Sequence, residues 1–314
     1  VIPQEREPRH VPLVHLLREG MVEGVHHGSV VVLSPDGSTL FEAGDPDVAM
    51  YPRSTAKPLQ AAAMARLGLR LGPSGFAIAA ASHSGEPRHL EAAAAVLASR
   101  GFAETDLGNP ADLPYDPIER DAWIAGGRQA ARLAHNCSGK HAAMLAVCRE
   151  LRWDIDGYLD PAHPLQRAIR ETVEELTGQT VPRVATDGCG APLFALSLRG
   201  LARAASQIAT APEGSPESLV ATGIRRHPDL VAGSRRDVTR LMRAVPGLIA
   251  KDGFEAVQLA ALPNGTAVAL KIADGGDRAR PAVLAAALAR AGVGPELLAP
   301  FSNPALRVTD ALAA

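Results

Sequence analysis

The sequence predicts an α+β fold: an antiparallel sheet assembled from the two ends of the chain, packed with helices from its middle. Three observations carry this prediction. Residues 28–34 and 38–43 are short apolar runs flanking Pro35-Asp36-Gly37, which reads as a hairpin. Residues 254–261 and 266–273 flank Pro263-Asn264-Gly265 in the same way, and Asn-Gly suits the positive φ that tight hairpins need. Between the hairpins, apolar residues recur at helical spacing, without a strict β-α-β alternation.

The helices follow one another through the centre of the chain. The first begins at Ser54 and runs to about residue 69, with Ser54 as its N-cap and Pro58 tolerated in its first turn. Further helical patterns cover about 87–99, 119–132, 140–151, 162–177, 191–205, 215–227 and 279–292. The weakest candidate boundary is a loop over 205–216, and no repeat or low-complexity linker is present. The chain therefore reads as a single catalytic unit of 1–314 with two lobes, sheet over about 11–53 and 245–314 and helices over about 54–244.

Composition excludes several classes of function. With 314 residues, 46% of them hydrophobic, the chain can bury one large core. Its net charge of −2 and lack of basic clusters argue against nucleic-acid and acidic-membrane surfaces. Every apolar stretch is broken by charge or glycine before reaching the length of a membrane span. No apolar signal core is seen at the N-terminus, and the expected location is cytoplasmic. Three cysteines, Cys137, Cys148 and Cys189, cannot all pair, so a metal or reactive-thiol role is favoured over a disulfide framework, with Cys148 a small buried hydrophobe on a helix. Of 32 basic residues only Lys57, Lys140, Lys251 and Lys271 are lysines. A lysine can give up its proton inside a protein and an arginine cannot, so these four positions are candidates for proton chemistry.

Ser54-Thr55-Ala56-Lys57 sets a hydroxyl and an amine at i and i+3 on one helix face. A serine needs a base to become a nucleophile, and a desolvated lysine can serve. Ser82-His83-Ser84-Gly85-Glu86-Pro87 lies in a polar loop after an apolar run, resembling the element that brings a second serine to Ser-x-x-Lys enzymes; it equally suits the N-cap of a helix from about Pro87. Lys251-Asp252-Gly253 precedes a strand and resembles the third element of such enzymes; Lys271 competes for this role and Lys251 is preferred. His135-Asn136-Cys137-Ser138-Gly139-Lys140-His141 and Thr186-Asp187-Gly188-Cys189-Gly190 each present a cysteine in a glycine-bearing loop before a helix, where a thiolate is favoured. Two cysteines are too few for a Cys₄ zinc site, so a metal there would recruit further donors.

Taken together, Tyr-Pro-Arg-Ser-Thr-Ala-Lys-Pro-Leu-Gln (51–60), Ser-His-Ser-Gly-Glu-Pro (82–87), Asn-Cys-Ser-Gly-Lys-His-Ala-Ala-Met-Leu (136–145) and Asp-Gly-Cys-Gly-Ala-Pro (187–192) resemble the rhizobial-type L-asparaginases of the asparaginase II family. The resemblance extends from about residue 11 to 290, and its most specific string is Asn-Cys-Ser-Gly-Lys-His. It implies a fold like that of serine β-lactamases and serine-dependent glutaminases, a homodimer, and hydrolysis of L-asparagine to L-aspartate and ammonia. It also implies that Ser54/Lys57 and Ser82/Lys251 are paired catalytic elements, and that Cys137, Lys140 and Cys189 hold zinc. Candidate substrate contacts are Arg53 in the first string, Ser84 and Glu86 in the second, and His135, Asn136, Asp187 and Gly188 around the two cysteines. The rival readings are a glutaminase or other Ser-x-x-Lys amidohydrolase, an enzyme with zinc-bound water as nucleophile, and a non-catalytic amino-acid binder.

Overall fold

A computed structural model describes residues 6–312. Its main sheet has seven strands: β1 (Val11–Arg18), β2 (Met21–Leu33), β3 (Thr39–Ala43), β6 (Ile249–Gly253), β7 (Val257–Ala261), β8 (Ala267–Ile272) and β9 (Leu306–Val308). A separate hairpin is formed by β4 (Val184–Thr186) and β5 (Pro192–Phe194). The order of the main sheet is β6-β7-β8-β2-β1-β9, all antiparallel, with β3 also paired to β2. An α+β fold with a sheet closed from both ends of the chain is therefore what the sequence folds into.

The long strand β2 explains how the two ends meet. Its first half pairs with β1 and is largely exposed; residues 28–33 are buried throughout and pair with β8. That stretch, β7 and most of β8 are buried without alternation and mostly apolar, Ser29 and Gln258 being buried polar exceptions, the pattern of strands covered on both faces. Helices α7 (Leu198–Thr210) and α11 (Arg280–Arg290) both pack on β2, β7 and β8, and supply that cover.

The remaining helices are α1 (Lys57–Arg66), α2 (Pro73–Ala79), α3 (Pro87–Ala98), α4 (Pro117–Ala125), α5 (Ser138–Leu151), α6 (Pro164–Thr177), α8 (Pro216–Arg226), α9 (Pro228–Val231), α10 (Asp237–Ala244) and α12 (Pro295–Leu298). Helix α1 is buried on all sides, among α2, α5, α6, α7 and α8. Its Ala-Ala-Ala-Met-Ala run has no polar face to turn outward, and small side chains let several neighbours approach. The first eleven residues of α5 are buried in the same way. Gly139 in its first turn lies so close to α2 that a β-carbon there would collide with the Ile78 carbonyl oxygen. This gives the glycine of the Asn-Cys-Ser-Gly-Lys-His string a packing reason.

Several local expectations need correction. Ser54 does not cap a helix: it sits inside a single 3-10 turn, Arg53–Ala56, ahead of α1. The pattern at 191–205 is not one helix, because 192–194 form β5 and α7 starts only after Ser197, whose Oγ accepts from the Gly200 N–H at 3.0 Å. A short apolar run has no period that separates strand from helix. The pattern at 119–132 ends at Ala125, before Gly126-Gly127. Lys251 lies within β6 rather than ahead of a strand. Strand β1 escaped the sequence reading because register shifts between Pro12 and Val14 and between Leu16 and Leu17 break its alternation. Among the described residues no helix is long and apolar enough to cross a membrane.

Candidate functional site

The 3-10 turn before α1 packs on β6 and β7, which seats Ser54 over the strand that carries Lys251. Arg53, immediately before Ser54, has φ +51°, a left-handed conformation that costs a side-chain-bearing residue energy and marks the turn as strained. Beside it, a loop leads from α2 to α3 and carries Ser82. Backbone bonds hold this loop from both sides: Ser82 N–H donates to Val231 O (2.9 Å), His83 N–H to Asn136 O (3.1 Å) and Ser84 N–H to Ala232 O (2.7 Å). His83 Nε2 also bonds Ser138 Oγ at 2.9 Å, tying the loop to the start of α5.

Ser54, Ser82 and Asn136 open onto one cavity of about 350 Å³, whose other lining includes Tyr115, Arg236, Asp252 and the segments 253–256 and 274–277. Beneath it lie two buried lysines. Lys57 Nζ donates to Ser82 Oγ (2.9 Å) and to Ala81 O (2.6 Å). Lys251 Nζ donates to Asp252 O (2.5 Å) and Asp252 Oδ1 (3.0 Å). The hydrogen bonds run across the expected pairs, Ser54 with Lys57 and Ser82 with Lys251. In this structure Lys57 bridges its own motif to the second serine, while the partner of Lys251 is Asp252, because β6 aims Lys251 and Asp252 into the same ion-pair network. Ser54 Oγ has no hydrogen bond among the described residues.

Electrostatics separates these groups. Burial pushes the Lys251 pKa down to about 8; nearby Lys57 adds to this and Asp252 opposes it. Asp252 is itself held far below the usual carboxylate range: burial disfavours its charge, but Lys251, Arg236 and Arg280 outweigh that cost. Lys271 is only partly buried, and its Nζ donates to Glu255 O (2.9 Å) and Ile272 O (3.2 Å), so it ties the turn after β6 to the end of β8.

The cysteine loops converge in a second cluster. Cys137 stands at the N-cap of α5, but Cys189 sits in the turn of the β4–β5 hairpin and not before a helix. Cys137, Cys189 and Ala191 form a small buried apolar group. Lys140 Nζ donates to Cys189 Sγ at 3.1 Å, and Cys137 Sγ donates to Asn136 Oδ1 at 2.9 Å. The helix-terminus argument fails for both thiols. The hydrogen bond with Cys189, together with burial, pushes the Cys137 thiol up. Cys189 is pulled far down by Cys137, against burial, with Lys140 and His141 assisting. Burial opposes the Lys140 ammonium, yet Cys189 and Cys137 hold its pKa above the ordinary lysine value. No group of three His, Cys, Asp or Glu residues suited to a metal occurs among the described residues. The one sulfur-rich donor set is Cys137, Cys189 and Lys140. Two sulfurs and an amine nitrogen in a buried cluster fit the donor preference of zinc, provided Lys140 loses its proton on loading.

The other candidate contacts divide. Arg53 forms an ion pair with Asp187 at 3.0 Å and lies 5.2 Å from the Phe254 ring centroid, linking the Ser54 turn to the Cys189 hairpin. Asn136 lines the cavity and touches the cysteine cluster. His135 is buried, with Nδ1 accepting from the Cys137 N–H (3.0 Å), a role in shaping the loop. Gly188 is exposed on the hairpin turn. Ser84 and Glu86 do not line the cavity. Ser84 is fully buried beside Gly233, and Glu86 is the N-cap residue of α3, with Oε1 accepting from Ser234 N–H (2.6 Å) and Ser234 Oγ (2.9 Å). Arg236, Asp252 and Tyr115 are cavity residues that sequence reading missed. Nothing in the local strings of Tyr115 and Arg236 marks them, and Asp252 stands in its motif only as the neighbour of Lys251; the packing of α10 on β6 and of Arg236 on the Tyr115 ring brings the three together.

No curated protein sequence matches the chain. Solved structures similar to it include Mglu in its native form (16% identity, TM-score 0.45, covering 84% of this chain and 62% of Mglu). Others are a β-lactamase from Mycobacterium bovis (15%, 0.43, 88% and 95%) and EstCE1, a hydrolase with promiscuous acyltransferase activity (13%, 0.43, 81% and 91%). The chain thus spans less than two thirds of the length of Mglu. The family model described as L-asparaginase II matches residues 14–311. A match over nearly the whole chain means that this protein belongs to the L-asparaginase II family.

Proposed function

We propose that the chain hydrolyses the side-chain amide of L-asparagine to L-aspartate and ammonia through an acyl-enzyme on Ser54. The observation that carries this reading is the pair of serines, Ser54 and Ser82, on one cavity with Lys57 hydrogen-bonded to the second. In its amine form Lys57 takes the Ser54 proton as Ser54 Oγ bonds to the carboxamide carbon. As the C–N bond breaks, the proton passes through Ser82 to the departing ammonia. Water then cleaves the ester, releasing aspartate and restoring the serine. Lys251, drawn toward neutrality in the same buried site, spares Lys57 a second fixed positive charge. A coupled ammonia assay tests the activity: release from L-asparagine is expected to exceed that from L-glutamine, and release from neither would overturn the reading.

Cys137, Lys140 and Cys189 would hold zinc, which would supply fixed positive charge beside Asn136 and stiffen the two loops. None of the three lines the cavity, which favours a serine over a metal-bound water as the nucleophile. Elemental analysis of purified protein is expected to find zinc at about one ion per chain, lost in Cys137→Ser. Absence of zinc from the wild type after refolding with excess metal would leave two ordinary thiols.

A further inference from the structure

We infer that Arg236 binds the substrate's α-carboxylate and so restricts the enzyme to amides of free amino acids. This rests on the amidohydrolase reading above and assigns the subsite that selects within it. Arg236 is the one basic residue among those lining the cavity, whose other charged lining is acidic: Asp252, Glu255, Asp274 and Asp277. An amino acid presents one anion and one cation, and such a wall offers one cationic anchor amid carboxylates.

The guanidinium is already positioned. It stands at the start of α10, with its backbone N–H bonded to Gly233 O at 3.2 Å. Nη2 is paired with Asp252, and the guanidinium carbon lies 4.8 Å from the Tyr115 ring centroid. With the side chain only 17% exposed, little conformational freedom is left to lose on binding. Nη1, by contrast, is buried and has no hydrogen-bond partner among the described residues. A buried charged donor without an acceptor is costly, and a ligand carboxylate is the acceptor whose geometry a guanidinium fits best. The acidic side also has a built form. Glu255 sits in a left-handed turn (φ +63°) with its carboxylate pressed on Gly275, where a β-carbon would collide with Oε2. Asp252 joins the two functions, since it accepts from Lys251 and from Arg236 at once. The carboxylate anchor therefore bears on the same buried carboxylate that holds the second lysine.

The test compares L-asparagine with 3-aminopropanamide, the same amide with hydrogen in place of the α-carboxylate, using wild type, Arg236→Met and Arg236→Lys. The wild-type preference in kcat/KM for asparagine is expected to collapse by about a hundredfold in Arg236→Met, mostly through asparagine's KM, with Arg236→Lys intermediate. In parallel, L-aspartate is expected to raise the Tm of the wild type and not that of Arg236→Met. Equal loss on both substrates in a variant that melts at the wild-type temperature, or unchanged aspartate binding, would overturn the assignment. Wild type that hydrolyses neither amide but binds aspartate through Arg236 would instead remove the amidohydrolase reading and leave the subsite standing.

Discussion

Ser54→Ala is expected to lower ammonia release by about four orders of magnitude or more, with asparagine affinity largely retained, because the change removes the atom that forms the acyl bond. Ser82→Ala is expected to cost less, about 10²- to 10³-fold, since it breaks a proton path and leaves the nucleophile in place. The two serines share a cavity, so loss of rate alone does not distinguish them. Mass spectrometry of protein quenched during turnover of a slow ester substrate does: the adduct is expected on the peptide containing Ser54. An adduct on Ser82 would reverse the roles, with the 2.9 Å Lys57–Ser82 bond as the activating contact.

The second large effect separates the lysines. Lys57→Arg and Lys251→Arg are each expected to reduce kcat by about 10³-fold, because a guanidinium keeps its proton: at 57 it cannot take the Ser54 proton, and at 251 it leaves a fixed positive charge beside Lys57. Lys271→Arg should stay within about threefold, since this side chain only bridges two carbonyls and an arginine can do the same. Lys251 is completely buried, so Lys251→Met and a melting curve serve to separate lost chemistry from lost packing. The depressed pKa of Lys251 also sets a pH window. In the native protein Lys251 loses its proton above about 8, whereas the unfolded chain keeps it up to about 10.5. The unfolded state therefore binds more protons between those values, and stability relative to Lys251→Met should rise with pH across that window. Below about 8 the wild-type rate should fall as Lys251 becomes charged. A rate independent of pH from 7 to 9 would count against a neutral lysine in the mechanism.

The elements legible in the sequence are those set by short-range pattern. The hairpin at β2–β3, the hairpin at β7–β8 and the helices at α3, α5, α6, α8 and α11 each announce themselves through a turn dipeptide or a helical period. The 191–205 and 119–132 segments failed for the opposite reason: an apolar run around β5 carries no period, and Gly126-Gly127 stops α4 before its pattern ends. The candidate site divides in the same way. Ser54 in the 3-10 turn and Lys57 at the first position of α1 lie three residues apart, and Cys137 and Lys140 share the start of α5, so their proximity is a consequence of spacing along the chain.

Composition and local motifs limited which chemistry was available. Four lysines among 32 basic residues, two hydroxyl-bearing loops and two Cys-Gly loops limited the proton-transfer and metal-ligating groups to a handful of positions. How those groups are matched follows from packing between distant segments. The bonding of Lys57 to Ser82 and of Arg236 to Asp252, the aspartate that also holds its neighbour Lys251, joins segments 25 residues apart in one case and 16 in the other, through α1, α10 and β6. Such matching follows from burial: once packing excludes water, each charge must find its partner among whatever the fold has brought within reach, and local sequence carries no record of that choice.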